Sequence, residues 1–272
     1  MAPPTDRKEI LARPRGHVKD KKQIVGAGAG MGLSAKSVES GGGDHIVLYN
    51  IGRFRMAGCG SLAGLMLYSN ANDIVVEMAF EVIAIVNDTP FLKQLQGLGF
   101  AGVLNFPTFG LIDGTFRANL EETGMGFGKE VKMIRNAAEQ GFLTTPYVFN
   151  VEDAVAMTNP GADVLVAHTG LTTSGTIGAQ TGKTLEQCVG EVQAIRAIAV
   201  KFNPDIIVLC HVGPIAAPDD VRFMLEKVRG LHGFYGASST EKFPVEKAIK
   251  KTTAEFKGLQ IPKEMELFWG KN

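Results

Sequence analysis

The sequence predicts a (β/α)8 TIM barrel, a closed parallel sheet wrapped by helices. Three observations carry that expectation. Short β-branched runs alternate with helix-like segments from about residue 23 onward, the pattern of a parallel sheet with crossover helices. Eight such runs spread over about 250 residues, the size of a closed barrel. The third observation concerns the loop GAGAGMG at residues 26–32. A doubly wound open sheet would carry its dinucleotide fingerprint there, but the third glycine of G-x-G-x-x-G falls on Met31 or Leu33.

Taken in chain order, residues 1–22 form a leading helix or extension. Its basic residues (Arg7, Lys8, Arg13, Arg15, Lys19, Lys21, Lys22) are interspersed with Asp6, Glu9 and Asp20, and it lacks the apolar run of a targeting segment. Residues 23–258 form the barrel. The strands are expected at 23–27, 45–50, 81–87, 102–106, 143–149, 163–168, 205–211 and 233–237. Helical patterns occupy 129–140, 185–202, 219–228 and 245–257, and Leu185, Val189, Val192, Ile195 and Ile198 draw one buried stripe. Residues 259–272 are a tail whose Leu267, Phe268 and Trp269 are expected to dock, either on the same barrel or on another subunit.

Composition narrows the function classes. Twenty-eight basic residues against 28 acidic ones leave no net charge, so neither nucleic acid nor an anionic membrane is an expected partner. No stretch reaches the roughly 20 apolar residues of a membrane span. Cys59, Cys188 and Cys210 form no C-x-x-C pair, which suits a reducing, cytoplasmic setting. GAQTGKT at residues 178–184 is one residue short of a phosphate loop, so no nucleotide cofactor is expected. The apolar tail, with the prevalence of symmetric assemblies, makes a homo-oligomer the expected state.

In a barrel the chemistry comes from the strand ends and the loops that follow them. The loop after the second strand offers Asn50, Arg53 and Arg55 among glycines, with Gly28 across the barrel. Forked guanidinium donors there suit a carboxylate or phosphate. The long loop after the fourth strand offers Asn105, Thr108, Asp113, Arg117, Glu121 and Glu122, and a carboxylate from it, Glu121, is the candidate acid/base. The fifth strand carries Tyr147. The sixth and seventh end in His168 and His211, two imidazoles at corresponding positions, and Thr169 opens the hydroxyl-rich loop that follows His168. Gly213 after the seventh strand, with Gly236, Ser238 and Ser239 after the eighth, lies where barrels often hold phosphate. Ser239 or Thr240 could equally cap the last helix, with Glu241 in its first turn.

The motifs GAGAGMGLSA, YNIGRFRMAGCGSLAG, NFPTFGLIDGTFRANLEETGMG, LTTPYVFN, HTGLTTSGTIGA, LCHVGPIAAPDD and GASSTEKFPVE resemble those of the phosphoenolpyruvate hydrolase-like family, over residues 8–257. The same type of domain is similar to the C-terminal half of a plant protein that blocks tobamovirus replication. The resemblance implies a phosphoenolpyruvate/pyruvate-type barrel acting on a small anionic substrate of the phosphoenolpyruvate or 2-oxo acid type, as a hydrolase or a C–C or P–C lyase. It implies Arg53 or Arg55 on a carboxylate, Gly213 and residues 236–239 on an anion, and His168 and His211 moving protons or polarising oxygen. It also implies a divalent ion such as magnesium, held through carboxylates and water, with no ligand set readable. One departure stands out. Members carry a further strand ending near an Asp-Pro, whereas EVIAIVNDTPFLKQL here runs straight into the next helix. Either residues 81–87 are recruited as a third strand, with Asp88 standing in for the acid, or the third β/α unit is short. The second case favours a rival function, a ligand- or protein-binding barrel without turnover.

Overall fold

The computed structural model describes residues 6–82, 91–171 and 182–260. A leading helix α1 (Arg7–Lys19) is followed by β1 (Ile24–Gly28), α2 (Gly32–Ser40), β2 (His45–Val47), α3 (Asn50–Met56), a 3-10 turn at Ser61–Leu65 and α4 (Ala71–Val82). Next come α5 (Phe91–Gly97), β3 (Gly102–Val103), a 3-10 turn at Phe109–Leu111, α6 (Gly114–Glu122) and α7 (Gly128–Glu139). The second half contains β4 (Leu143–Thr144), β5 (Tyr147–Val148), α8 (Val151–Thr158), β6 (Val164–His168), α9 (Leu185–Phe202), β7 (Ile207–His211), α10 (Pro218–Lys227), β8 (Gly233–Gly236) and α11 (Lys242–Lys257).

Every ladder is parallel. Six strands run in the order β2-β1-β8-β7-β6-β5, and β3 pairs with β4 in a second sheet. First and last strands meet, because β1 pairs with β2 on one side and with β8 on the other. Such a seam joins the two ends of a barrel. The predicted strand at 143–149 is β4 and β5 together, interrupted at Thr145–Pro146. The interruption switches partners: Leu143 and Thr144 ladder with β3, while Tyr147 and Val148 ladder with β6. Proline has no N–H to give a ladder, yet the Pro146 carbonyl still accepts from Val166 N at 2.9 Å. Among the described residues no ladder joins β2 to β3, the position the strand at 81–87 would fill.

Part of that expected strand is corrected. Glu81 and Val82 close α4. Ile74, Met78 and Val82 recur every four residues, and Met78 and Ala79 are buried, so the helical period outweighs the β-branched composition. Residues 83–87 and Asp88 lie outside the described residues, as do 178–181 of GAQTGKT and 261–272 of the tail. No helix among the described residues is long and apolar enough to cross a membrane.

Two apolar layers follow from strand parity. In β6 and β7, Val164, Val166, Ile207 and Leu209 point into the lumen with Ile24, Val47, Tyr147 and Tyr235. Leu165, Ala167, Val208 and Cys210 point outward onto the helices, against Met157, Val192, Ile195 and Met224. Each fully buried aliphatic side chain contributes about 1.5–3 kcal/mol. The lumen is closed at its lower end by α1, whose Leu11 joins the inner layer. Arg7 pairs there with Asp163 at 2.8 Å and also donates to the carbonyls of Ala138 and Gly161. The leading helix is therefore anchored to the barrel floor, beyond the extension expected from its charges.

Candidate active site

The inward parity that sends Val164, Val166, Ile207 and Leu209 into the lumen continues to the last residue of each strand. His168 and His211, direct partners in the β6–β7 register, thus stand side by side at the upper rim. Their ring centroids are 5.0 Å apart, at an interplanar angle of 65°. They line a narrow, partly open cleft walled also by Tyr49, Arg55, Ser61, Phe106, Tyr147 and Val212. Tyr147 packs on both imidazoles, 5.4 Å from His168 and 4.7 Å from His211, and Phe149 covers the outer side of His168 at 4.7 Å.

The two rings take opposite hydrogen-bond roles. His168 Nδ1 accepts from Gly170 N at 3.1 Å, so in the neutral ring the proton sits on Nε2. His211 Nδ1 lies 2.9 Å from the Tyr235 carbonyl, an acceptor, so Nδ1 carries the proton and Nε2 is left as an acceptor. Burial pushes the His168 pKa down to about 3. It drives His211 well below the ordinary histidine value too, with neighbouring His168 adding to the effect. Both rings are therefore neutral near pH 7.

The chain turns sharply just after His211. Val212 has φ +48° and Gly213 φ +64°, and a left-handed conformation is costly for a β-branched residue. Thr169 Oγ1 donates to the Val212 carbonyl at 2.8 Å and holds the turn. A Cβ on Gly213 would come within 2.6 Å of that hydroxyl.

Opposite the imidazoles is a buried ion pair. Arg55 Nη1 donates to Glu241 Oε2 at 2.8 Å and to the Tyr49 hydroxyl, and Arg55 Nε donates to Ser61 Oγ at 3.0 Å. Arg55 borders both this cleft and the groove between α3 and α11. Glu241 is fully buried, and burial raises its pKa against the pull of Arg55. Its Oε1 meets no donor among the described residues and faces the glycine loops. A Cβ on Gly28 would lie 2.6 Å from that oxygen, so the glycine leaves room for the carboxylate.

A second network fixes the loop after β3. Asn105 Oδ1 accepts from Tyr147 N at 2.6 Å, while its amide donates to Glu130 Oε2 at 2.7 Å. Thr108 donates to the same oxygen at 2.8 Å, and Phe109 N donates to Oε1. Asn105 thus positions Tyr147 from behind the cleft. Asn50 is also structural in its contacts, its amide donating to the Gly64 carbonyl at 2.7 Å.

Arg55, Tyr147, His168 and His211 are the expected residues that reach the cleft wall. Gly28, Asn50, Asn105, Thr169 and Gly213 support it from behind. Arg53 is partly buried on α3 and does not line the cleft. Asp113 and Glu121 are exposed. Asp113 sits at the cap position of α6, and Glu121 accepts from Phe127 N at 3.4 Å. With no buried residue on α6, neither carboxylate is brought to the imidazoles.

The turn after β8, expected to hold an anion, engages part of its backbone donors internally. The N–H groups of Thr240 and Glu241 donate to the Ala237 carbonyl, and that of Phe243 to the Ser238 carbonyl. Gly236, Ser238 and Ser239 frame this turn beside the Glu241 carboxylate, and the buried Ser239 Oγ meets no hydrogen-bond partner among the described residues. Neither Ser239 nor Thr240 caps α11, because the cap position belongs to Glu241. Tyr49, Glu130 and Glu241 were not among the expected site residues. The parity of β2, with Val47 inward, points to Tyr49; nothing local marks the other two.

The implied magnesium does not fit the described residues. No three of their His, Cys, Asp or Glu side chains converge to hold an ion. The cleft wall presents imidazole, guanidinium and phenol groups, whereas magnesium takes oxygen ligands, carboxylates above all. The nearby carboxylate of Glu241 is bound to a cation already.

The phosphoenolpyruvate hydrolase-like family profile matches residues 9–259. The chain is 53% identical over 268 residues to the ToMV resistance protein Tm-1 of Solanum lycopersicum, covering 93% of this chain and 36% of that protein. It is 30% identical over 275 residues to a putative transcriptional regulatory protein, y4pA, of Sinorhizobium fredii, covering 95% and 45% respectively. The chain therefore spans less than half the length of these relatives. Among solved structures it is similar to oxaloacetate acetylhydrolase, with TM-score 0.55 and 15% identity over 95% of this chain and 90% of that one. It is also similar to 2,3-dimethylmalate lyase, a PEP mutase/isocitrate lyase superfamily member, with TM-score 0.52 and 15% identity over 94% and 91%. At that identity the likeness establishes the shared barrel fold. The chain belongs to the phosphoenolpyruvate hydrolase-like family.

Proposed function

We propose that the rim cleft is an active site for a small carboxylate of the 2-oxo or 2-hydroxy acid type, working as a hydrolase or lyase. One observation carries the reading: two neutral imidazoles of opposite hydrogen-bond polarity share a cleft with a guanidinium. Arg55 would take the substrate carboxylate. His168 Nε2–H would donate to the neighbouring carbonyl oxygen and polarise it, as a neutral electrophile does. His211 Nε2 would accept from a hydroxyl or a water and orient it for attack or for cleavage. With its pKa so depressed, His211 is a weak base, so its part is orientation and transient proton acceptance. The family membership and the names of the structural neighbours support hydrolase or lyase chemistry.

A second reading is favoured by the poverty of carboxylates at the cleft. The same geometry would bind such an acid without turning it over, as a regulatory barrel does. Both readings are tested by thermal shift against 2-oxo acids, phosphoenolpyruvate and phosphate, with and without magnesium. A ligand at 100 times its dissociation constant adds about 2.7 kcal/mol. The expected result is a 2-oxo acid shift that Arg55→Ala abolishes, followed by turnover that His168→Gln reduces. Shift without turnover selects the regulatory reading, and no shift with any of these acids sinks both.

A further inference from the structure

Among the described residues that line the rim cleft, Arg55 carries the single formal charge. Its guanidinium is already bound to the Glu241 carboxylate at 2.8 Å, and both imidazoles are neutral. One incoming carboxylate therefore uses the cation that the wall offers. Lys183, whose charge is felt at His168, does not line the cleft and holds Glu191 at 2.6 Å. The two internal stretches outside the described residues, 83–90 and 172–181, contain no lysine, arginine or histidine. A second anionic group on a ligand would enter the cleft with no described cation to meet it. Burying a charge unpaired is strongly unfavourable.

The rest of the wall says what a ligand carries instead. Leu65, Leu111 and Leu171 reach the cleft from three separate segments: the 3-10 turn after α3, the 3-10 turn after β3, and the chain beyond β6. All three are half-buried, and none belongs to the apolar clusters of the described residues. Ile51 on α3 and Val212 after β7 continue the same lining. A leucine of the core packs on other apolar side chains, whereas these three are gathered round a cleft with one cation. Small-molecule sites are built this way, an apolar lining with a few polar groups that fix orientation.

We propose that the cleft selects a monocarboxylic 2-oxo or 2-hydroxy acid with an apolar side chain, and rejects acids that bear a second carboxylate or a phosphate. The inference rests on the reading of the cleft as a site for a small carboxylate, and it names the rest of that molecule. Arg55 holds the carboxylate, and the leucines cover the side chain. Each methylene buried against them strengthens binding about fourfold. The test is calorimetry of the full chain, with and without magnesium, on pyruvate, 2-oxobutanoate, 2-oxopentanoate, 4-methyl-2-oxopentanoate and oxaloacetate. The last two are a matched pair, with an isopropyl group in one where the other has a carboxylate. Affinity is expected to rise about fourfold per carbon along the straight-chain acids. 4-Methyl-2-oxopentanoate should bind about a hundredfold more tightly than oxaloacetate. Leu65→Ala with Leu171→Ala should weaken 4-methyl-2-oxopentanoate about tenfold and leave pyruvate within about twofold, a split that general loosening of the barrel would not produce. Leu171→Arg should turn the preference toward oxaloacetate. Oxaloacetate binding as tightly as its isopropyl match, in either buffer, overturns the inference and leaves the small-carboxylate reading standing. So does an affinity that is flat along the series or indifferent to the leucine variants. No binding by any of these acids overturns both.

Discussion

The two sides of the barrel are held together by different means. On the β6–β7 side, two five-residue strands are buried end to end, and their ladder fixes His168 opposite His211 residue for residue. On the β2–β3 side the strands are three and two residues long and only partly buried. There the cleft wall is set by side chains: Arg55 tied to Glu241 across the seam, and Asn105 tied to Glu130 behind Tyr147. A backbone ladder tolerates the loss of any one side chain. A wall built from two polar ties does not.

The sharpest way to break that contrast is Glu241→Ala. It leaves the Arg55 guanidinium buried beside Tyr49 without its carboxylate, and removing one partner of a buried pair costs about 3–5 kcal/mol. Urea denaturation should show that loss, while Arg55→Leu with Glu241→Ala should recover part of it. A single-variant loss under about 1 kcal/mol would mean that the tie is not what holds this side.

The histidine side is tested by acid. Both imidazoles have pKa values depressed by burial from the ordinary 6.5, His168 to about 3. The unfolded chain therefore binds protons there that the folded chain refuses. Stability from this source is complete above pH 6.5 and falls as the pH drops from there toward 3. At pH 5 the His168 ring should cost about 2 kcal/mol relative to pH 7, and His211 adds a loss of the same sign. His168→Gln should flatten the acid limb by about that amount, measured as urea midpoints between pH 7 and 5. An acid limb unchanged in His168→Gln and His211→Gln alike would mean that neither ring is buried neutral.

Legibility in the sequence follows the same division. VLVAH and IVLCH alternate lumen and helix faces residue by residue, so strand parity alone brings the two histidines together. Tyr49 could have been found by continuing the parity of β2. In sequence Glu241 is legible only as a first-turn acid, because cap chemistry is local while its partner Arg55 is 186 positions away. The acids of α6 misled for the opposite reason. A carboxylate-rich loop after a barrel strand belongs near the site by rule, but no residue of α6 is buried, and the whole segment stays outside. The glycines at the ends of β1 and β8 suggest ligand-facing backbone. One of them, Gly28, instead makes space for a carboxylate of the protein itself.

Glu130→Gln sets the lower end of the scale and sharpens the comparison most. Both oxygens of Glu130 accept, from Asn105, Thr108 and Phe109. The glutamine amide keeps the shape but replaces one acceptor by a donor that faces other donors. The expected loss is about 1–2 kcal/mol, well below that of Glu241→Ala, because the loop can turn its remaining acceptor to Phe109 or to Asn105. The more telling readout is local. Asn105 fixes the Tyr147 backbone by its own carbonyl, and Tyr147 stacks on His211 at 4.7 Å. If side chains set this wall, the variant should shift the His211 ring resonances in an NMR spectrum while leaving amide exchange in β6 and β7 as slow as before. Faster exchange in β7 would show instead that the ladder depends on the loop, and the two sides would then be one cooperative unit.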